Sequence, residues 1–88
     1  MTHTVWIPPH HRDLTGGLEH VAASGATVGA VLDDIETHYP GMRSRLAGEG
    51  RLRPGIAVAV DGVVATDGLR RRLAQGSEIH FIPAIAGG

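Results

Sequence analysis

Apolar and polar residues alternate near the start of the chain, and this alternation predicts a pair of strands. In "HTVWIP", Val5 and Ile7 face one way and Trp6 faces the other, as in a strand that is buried on one side. Two prolines end the strand, and the pair Gly16-Gly17 is a turn signal of the hairpin kind. The segment "LEHVAAS" is then expected to return as the second strand.

A helical period follows these strands. Four apolar residues stand at positions i, i+3, i+4 and i+7, which form one stripe along a helix. They are Val28, Val31, Leu32 and Ile35. Thr27 is suited to the N-cap, because its hydroxyl can accept a hydrogen bond from an unpaired N–H of the first turn. A Pro-Gly pair stops the helix, and "GMRSRLAG" predicts a short second helical turn.

The second half of the chain predicts further strands. "IAVAVDG" is the strongest of them, "VVAT" can pair back briefly after its Asp-Gly turn, and "EIHFIP" forms the last strand. The stretch "GEGRLRPG" is expected to be a loop. The fold class is therefore α+β, with one main helix packed on one face of a mixed sheet of four to five strands. It is the β-grasp arrangement if the last strand pairs beside the first.

One helix can cover only one face of such a sheet. The other face is expected to carry a large indole among smaller side chains, and this set is Trp6, Ala57, Ala59, His80 and Ile82. Single exposed apolar residues are common and need no special role, but tryptophan is over-represented at binding hot spots. Because the same face leads into the C-terminal tail, we predict that it docks onto a larger partner protein.

Size and composition limit what else the chain can do. Its 88 residues, 42 % of them hydrophobic, make one small soluble domain whose modest core leaves no room for a large active-site cleft. The sequence has no cysteine for a disulfide or thiolate site, and its net charge of −1 gives no electrostatic argument for nucleic-acid binding. The first residues have the pattern of neither a signal peptide nor a membrane span, so a cytoplasmic location without membrane binding is expected.

Six histidines raise the question of a metal site, but their spacing does not support one. His10 and His11 are adjacent, the other four are scattered, and no pair has the i, i+4 helical spacing of a zinc site. The serines and the basic clusters "RLRP" and "LRRR" form no recognisable catalytic or nucleic-acid motif. We therefore predict no metal site and no complete catalytic apparatus within this domain.

The terminal segment "FIPAIAGG" offers one reactive group, the α-carboxylate of Gly88. Residues 1–82 are predicted to form the folded domain, and residues 83–88 a flexible tail. With an ordinary pKa of about 3.3–3.7, this carboxylate is ionised at neutral pH. It can attack the α-phosphate of ATP when an enzyme positions it and supplies Mg²⁺, and the product is an electrophilic acyl-adenylate.

The residues before the carboxylate suit this role. Glycines have no Cβ, so the end of the tail can pass through a narrow channel and leave its carbonyl open to a nucleophile. Six residues reach at most about 20 Å, which is enough to enter an active site from the edge of the domain. The residues expected to contact the channel are Pro83, Ala84, Ile85, Ala86 and Gly87. A Gly-Gly end can also be a frayed terminus, but its position after the last strand favours a function.

With these features the chain resembles the ubiquitin-like sulfur-carrier proteins over essentially its whole length. The resemblance rests on "VWIPPHHRDLTGG", "SGATVGAVLDDIETHYPGM" and, most specifically, "FIPAIAGG". Ala84 after Pro83 is similar to the "PAVAGG" pattern of carriers for cysteine biosynthesis, whereas the small subunit of molybdopterin synthase commonly has a second proline there. Carriers for thiamine biosynthesis are usually shorter and lack the segment around Met42–Leu46.

The resemblance implies a series of partner enzymes. A ubiquitin-activating-like adenylating enzyme would use ATP and Mg²⁺ to adenylate Gly88, and a sulfur donor would displace AMP to leave a thiocarboxylate. For the cysteine route, a synthase that depends on pyridoxal phosphate would accept the sulfur, and a metalloprotease would release the product. This chain would bind no cofactor itself and would act as a co-substrate of these enzymes.

The sequence is also compatible with other functions. The chain could be the small subunit of molybdopterin synthase or a sulfur donor for a secondary-metabolite pathway. In a different class, a ubiquitin-like modifier would share the adenylation step but transfer its tail to lysines of other proteins. An interaction domain with an inert tail is a further alternative.

Overall fold

The structure is a computed structural model that describes residues 2–83. The strands are β1 (Thr2–Trp6), β2 (His20–Ser24), β3 (Ala47–Gly48), β4 (Arg51–Leu52), β5 (Ile56–Val60), β6 (Val63–Val64) and β7 (Glu78–Pro83). The α-helices are α1 (Val28–His38) and α2 (Met42–Leu46), and short 3-10 helices span Pro9–Thr15 and Gly68–Arg70.

Five strands form one mixed sheet in the order β2-β1-β7-β5-β6. The first and last strands, β1 and β7, are parallel neighbours at its centre, and the other pairs are antiparallel. Because β1 and β7 are parallel, the chain must cross over between them, and α1 lies in that crossover. The predicted β-grasp arrangement, with one main helix on one face of a mixed sheet, is confirmed. Strand β7 includes Pro83, so the sheet reaches one residue beyond the predicted domain edge.

The core lies between α1 and the sheet, as the sequence pattern predicts. The four stripe residues of α1 are almost completely buried, and so are Val5, Val58 and Ile79 on the facing side of the sheet. The Thr27 hydroxyl accepts a hydrogen bond from the Ala30 N–H at 3.2 Å and caps the helix as expected. The short helix α2 also forms, and its two buried residues pack into the same core.

Two connections differ from the sequence prediction. The stretch between β1 and β2 is not a tight hairpin, because the 3-10 helix Pro9–Thr15 precedes the glycine turn. The segment expected to be a loop contains the small β3–β4 hairpin, whose turn residues Glu49 and Gly50 have φ values of 54° and 75°. This is the left-handed backbone of a two-residue hairpin turn. Strands of two residues are too short to show an alternation, and a 3-10 helix does not have the 3.6-residue period of an α-helix, so neither is predicted from the sequence pattern.

His3 is a buried polar residue that the sequence pattern did not single out. Its side chain is in the core at 2 % exposure. Nε2 lies 2.7 Å from the Gly25 carbonyl oxygen, and Nδ1 accepts a hydrogen bond from the Ser77 N–H at 3.1 Å. Because Nδ1 accepts, we assign the ring N–H to Nε2, which donates to the Gly25 carbonyl oxygen. The imidazole therefore links β1 to the turn before α1 and to the residue before β7.

We predict that His3→Leu destabilises the fold although leucine is apolar and of similar size. The substitution leaves the buried Ser77 N–H without a partner and removes the bond to the partly buried Gly25 carbonyl, which costs about 1–3 kcal/mol in the free energy of unfolding. Urea unfolding of the two proteins measures this loss. The matched control is His38→Leu at an exposed site, and equal stability of the His3 variant and the unchanged protein would contradict the role assigned to His3.

Carboxylates at two positions support the second helix and the long connection. Glu36 accepts hydrogen bonds from the N–H groups of Gly41 and Arg43, each at 3.0 Å, and these bonds lower the pKa of Glu36. Arg45 donates two hydrogen bonds to the Asp13 carboxylate, at 2.7 and 3.0 Å, and lowers the pKa of Asp13. Both carboxyl groups are thus more acidic in the folded protein than in the unfolded chain.

These lowered pKa values predict acid sensitivity. A carboxyl group whose pKa is lowered by folding stabilises the fold at pH values above its ordinary pKa, which is about 4.3 for Glu and 3.9 for Asp. This stabilisation is lost as the pH falls through the lower pKa of the folded state. Glu36→Gln is therefore expected to reduce stability at pH 7 and to flatten its decline below about pH 4. Urea unfolding across pH 2–7 tests this, with Glu19→Gln as an exposed control; parallel pH profiles of the two variants would refute it.

Candidate docking surface at the root of the tail

A single row of side chains crosses the face of the sheet opposite α1. Trp6 in β1 lies opposite His20 in β2 and opposite His80 in β7. His80 in turn lies opposite Ala59, and Ala59 opposite Val64 in β6. We call this set the open-face row: His20, Trp6, His80, Ala59 and Val64. Residues paired directly across strands share a face, so the row spans all five strands.

Trp6 is held in place within this row. Its ring stacks on His80 with a centroid separation of 5.3 Å and an interplanar angle of 10°, and it meets His20 at 4.7 Å and 56°. The indole Nε1 donates a hydrogen bond to Glu78 Oε1 at 3.1 Å. Trp6 remains partly exposed although it has these partners. An indole that is already ordered loses little side-chain entropy when a partner covers it.

The open face continues from this row to the end of β7. Ala57 lies opposite Ile82, one step along the strands from Ala59 and His80. Pro83 follows and lies opposite Ile56 at the start of β5. The open face therefore extends without a break to Ile82, which directly precedes the last described residue.

The register thus brings the five residues singled out in the sequence onto one surface, and their docking role stays a prediction. Trp6 contacts His80 directly, and Ile82 lies at the root of the tail. The other predicted site residues, from Ala84 to Gly88, lie outside the described part of the chain.

Sequence reasoning missed two members of the open-face row. His20 is the outward residue before Val21 in an alternating strand, so its face was predictable, but its contact with Trp6 depends on the antiparallel register. Val64 is 53 % exposed. It reaches the row only because β6 pairs back on β5 after a tight turn.

Outside this face we searched residues 2–83 for clusters of charged and metal-binding side chains. Three surface arginines are paired with aspartates, and no group of three or more His, Asp or Glu side chains within residues 2–83 could hold a metal ion. Over the same range, none of the helices has the length and apolar character needed to cross a membrane.

The fold and its open face define the class of ubiquitin-like β-grasp proteins, and the sequence comparisons give the family. The model of the ThiS family matches residues 5–88, and the chain belongs to this family. It is 39 % identical to the sulfur carrier protein CysO of Mycobacterium tuberculosis, over 100 % of both chains. It is 38 % identical to the small archaeal modifier protein 3 of Haloferax volcanii, over 72 % of this chain and 71 % of that one.

Solved structures agree with this placement. A chain in the crystal structure of the Amycolatopsis orientalis BexX/CysO complex superposes with a TM-score of 0.88 at 38 % identity, over 98 % of this chain and 99 % of that one. The crystal structure of Mycobacterium tuberculosis CysO gives a TM-score of 0.87 at 35 % identity, over 94 % and 99 % of the two chains. The resemblance to ubiquitin-like sulfur carriers is therefore confirmed.

Proposed function

We propose that this protein is a sulfur carrier of the cysteine-biosynthesis type, whose Gly88 carboxylate is adenylated and then converted to a thiocarboxylate. The observation that carries the proposal is the similarity to the sulfur carrier CysO over the whole of both chains. It is supported by the pair Gly87-Gly88, which lies within the residues that the family model matches. The open face that extends to the root of this tail supports it further.

The chemistry takes place at the tail and needs two steps. A carboxylate oxygen of Gly88 attacks the α-phosphorus of ATP, the bond to the β-phosphate breaks, and pyrophosphate leaves. Hydrosulfide then attacks the acyl carbon, the bond to AMP breaks, and a thiocarboxylate remains. ATP and Mg²⁺ belong to the activating partner, and pyridoxal phosphate to the enzyme that accepts the sulfur.

The folded body supplies docking and reach. The open-face row presents an ordered indole to the partner, and the pairing of Pro83 with Ile56 fixes the point where the tail begins. Five further residues extend at most about 18 Å from that point. A partner that holds the open face therefore brings Gly88 within a defined distance of its nucleotide.

A second function from another class is a ubiquitin-like protein modifier. The observation that favours it is the similarity to the small archaeal modifier protein 3 over most of the chain. The modifier and the carrier share the adenylation step and differ in the nucleophile that follows, an amine of a lysine or a sulfur donor.

Intact mass spectrometry distinguishes these functions. We expect that incubation with ATP, Mg²⁺, sulfide and a CysO-type activating enzyme exchanges one oxygen of the chain for sulfur. A variant with one alanine added after Gly88 is the control and should gain nothing, because its terminal carboxylate lies one residue too far along. Adducts on lysines of other proteins would favour the modifier, and an unchanged mass would contradict both functions.

The docking role of the open face predicts a contrast between two adjacent residues. Val64 lies on the open-face row, whereas Val63 is 65 % exposed on the opposite side of the same strand. Trp6→Ala is expected to weaken binding to the activating enzyme about tenfold or more, and Val64→Asp also weakens it, because both remove apolar contact area.

Val63→Asp serves as the matched control and should leave affinity unchanged. Titration calorimetry measures binding, and urea unfolding verifies that each variant is folded. Equal affinities of the Val63 and Val64 variants, or a large loss of stability in Trp6→Ala with unchanged binding, would show that this face is not the docking surface.

A further inference from the structure

A cleft of about 580 Å³ lies at the edge of the sheet, where β6 is too short to cover the whole of β5. Strand β6 pairs only with the end of β5, at Ala59 and Val60. Beside the start of β5, the β3–β4 hairpin and the 3-10 helix Gly68–Arg70 form the two walls of the cleft. We call it the basic cleft, because an arginine comes from each wall.

The basic cleft combines an apolar lining with two cations. Its apolar residues are all buried or partly buried, and they are Leu52, Ile56, Ala57, Ala65 and Leu69. Arg51 in β4 and Arg70 in the 3-10 helix line the same cleft, and both residues are exposed. An occupant can therefore contact an apolar surface and two guanidinium groups at once.

The two cations have no anionic partner within residues 2–83. Three other arginines each form an ion pair with an aspartate, whereas neither Arg51 nor Arg70 does. Asp67 is the one acidic residue in the lining, and its carboxylate is already paired with the Arg71 guanidinium at 2.8 Å. Two unpaired guanidinium groups in one cleft favour a carboxylate, which they can bind through charge-assisted hydrogen bonds.

The basic cleft is continuous with the open face. Ala57 lines the cleft and also lies opposite Ile82 on the open face. A protein that docks on the open face can therefore extend over the start of β5 into the cleft. The segment that fits there carries an aliphatic side chain for the apolar lining and a glutamate or aspartate for the two arginines. A free inorganic anion would pair with the arginines but leave the apolar lining uncovered.

We propose that the basic cleft binds an acidic segment of the protein that docks on the open face, with a carboxylate at Arg51 and Arg70 and an aliphatic side chain against Leu52 and Ile56. The inference rests on the proposed function, because that partner is the activating enzyme. The open face supplies apolar contact area, and the cleft selects among partners by their charge.

Binding of charge variants to a CysO-type activating enzyme, without ATP or sulfide, tests this inference. Arg51→Glu and Arg70→Glu are each expected to weaken binding about tenfold or more at about 0.05 M salt, because each places an anion beside the carboxylate of the partner. The loss should shrink at about 0.5 M salt, where charges are screened. Arg51→Lys keeps the charge and should retain most of the affinity. Titration calorimetry measures the affinities, and urea unfolding verifies that each variant is folded.

Arg72→Glu is the matched control. It changes the net charge of the chain by the same amount, and Arg72 is exposed but does not line the cleft. Its affinity should stay within about twofold of that of the unchanged protein, because only the general electrostatic attraction changes.

Equal losses in Arg72→Glu and in the two cleft variants would overturn the proposal, because the effect would then follow net charge alone. Full affinity in both cleft variants would also overturn it. If their unchanged affinity came with saturable binding of inorganic phosphate that both substitutions abolish, the cleft would be a site for a small anion instead. A chain that gains sulfur although the cleft variants bind normally refutes this inference alone. Binding that depends on these arginines, to an enzyme that never transfers sulfur, refutes the proposed function alone.

Discussion

The parallel pairing of the first and last strands is the constraint on which the rest of this structure depends. Parallel neighbours cannot be joined by a tight turn, so the chain between β1 and β7 must cross over, and α1 covers one face of the sheet in doing so. Parallel strands also end at the same edge. The end of β7 at Pro83 therefore lies near Pro8 at the end of β1, and Trp6 lies next to His80 on the uncovered face.

The register of that pairing is fixed by contacts at the start of the two strands. The Thr4 N–H donates to the Ser77 carbonyl oxygen at 3.1 Å, and the Ser77 N–H donates to His3 Nδ1. A slip by one residue would turn Val5 and Ile79 out of the core and Trp6 and His80 into it. The burial of the His3 imidazole and the position of the Trp6 indole on the open face therefore both follow from this one register.

This arrangement fits the proposed division between a folded body and a reactive carboxylate at Gly88. Contacts among side chains already order the open face before any partner arrives, and the described residues bring together no cluster of catalytic or metal-binding groups. A small core has little capacity to shape an active site. A chain of this size can present a carboxylate and leave the activation chemistry to larger enzymes.

The sequence by itself determined the elements with strong periodicity. The stripe of α1, its Thr27 cap and the alternation in the long strands were all readable, because each depends on neighbours within about seven positions. The outward side of Trp6 and Ala59 followed from the same alternation. The terminal motif indicated the family.

Only the tertiary structure decided which residues meet across the chain. His3 and His20 were two among six histidines in the sequence, yet one is buried against Ser77 and the other contacts Trp6. The 3-10 helix that carries Arg70, and with it the basic cleft beside β5, left no periodic signal. Such contacts depend on strand register and chain crossover, which join residues far apart in sequence and leave no trace in a local pattern.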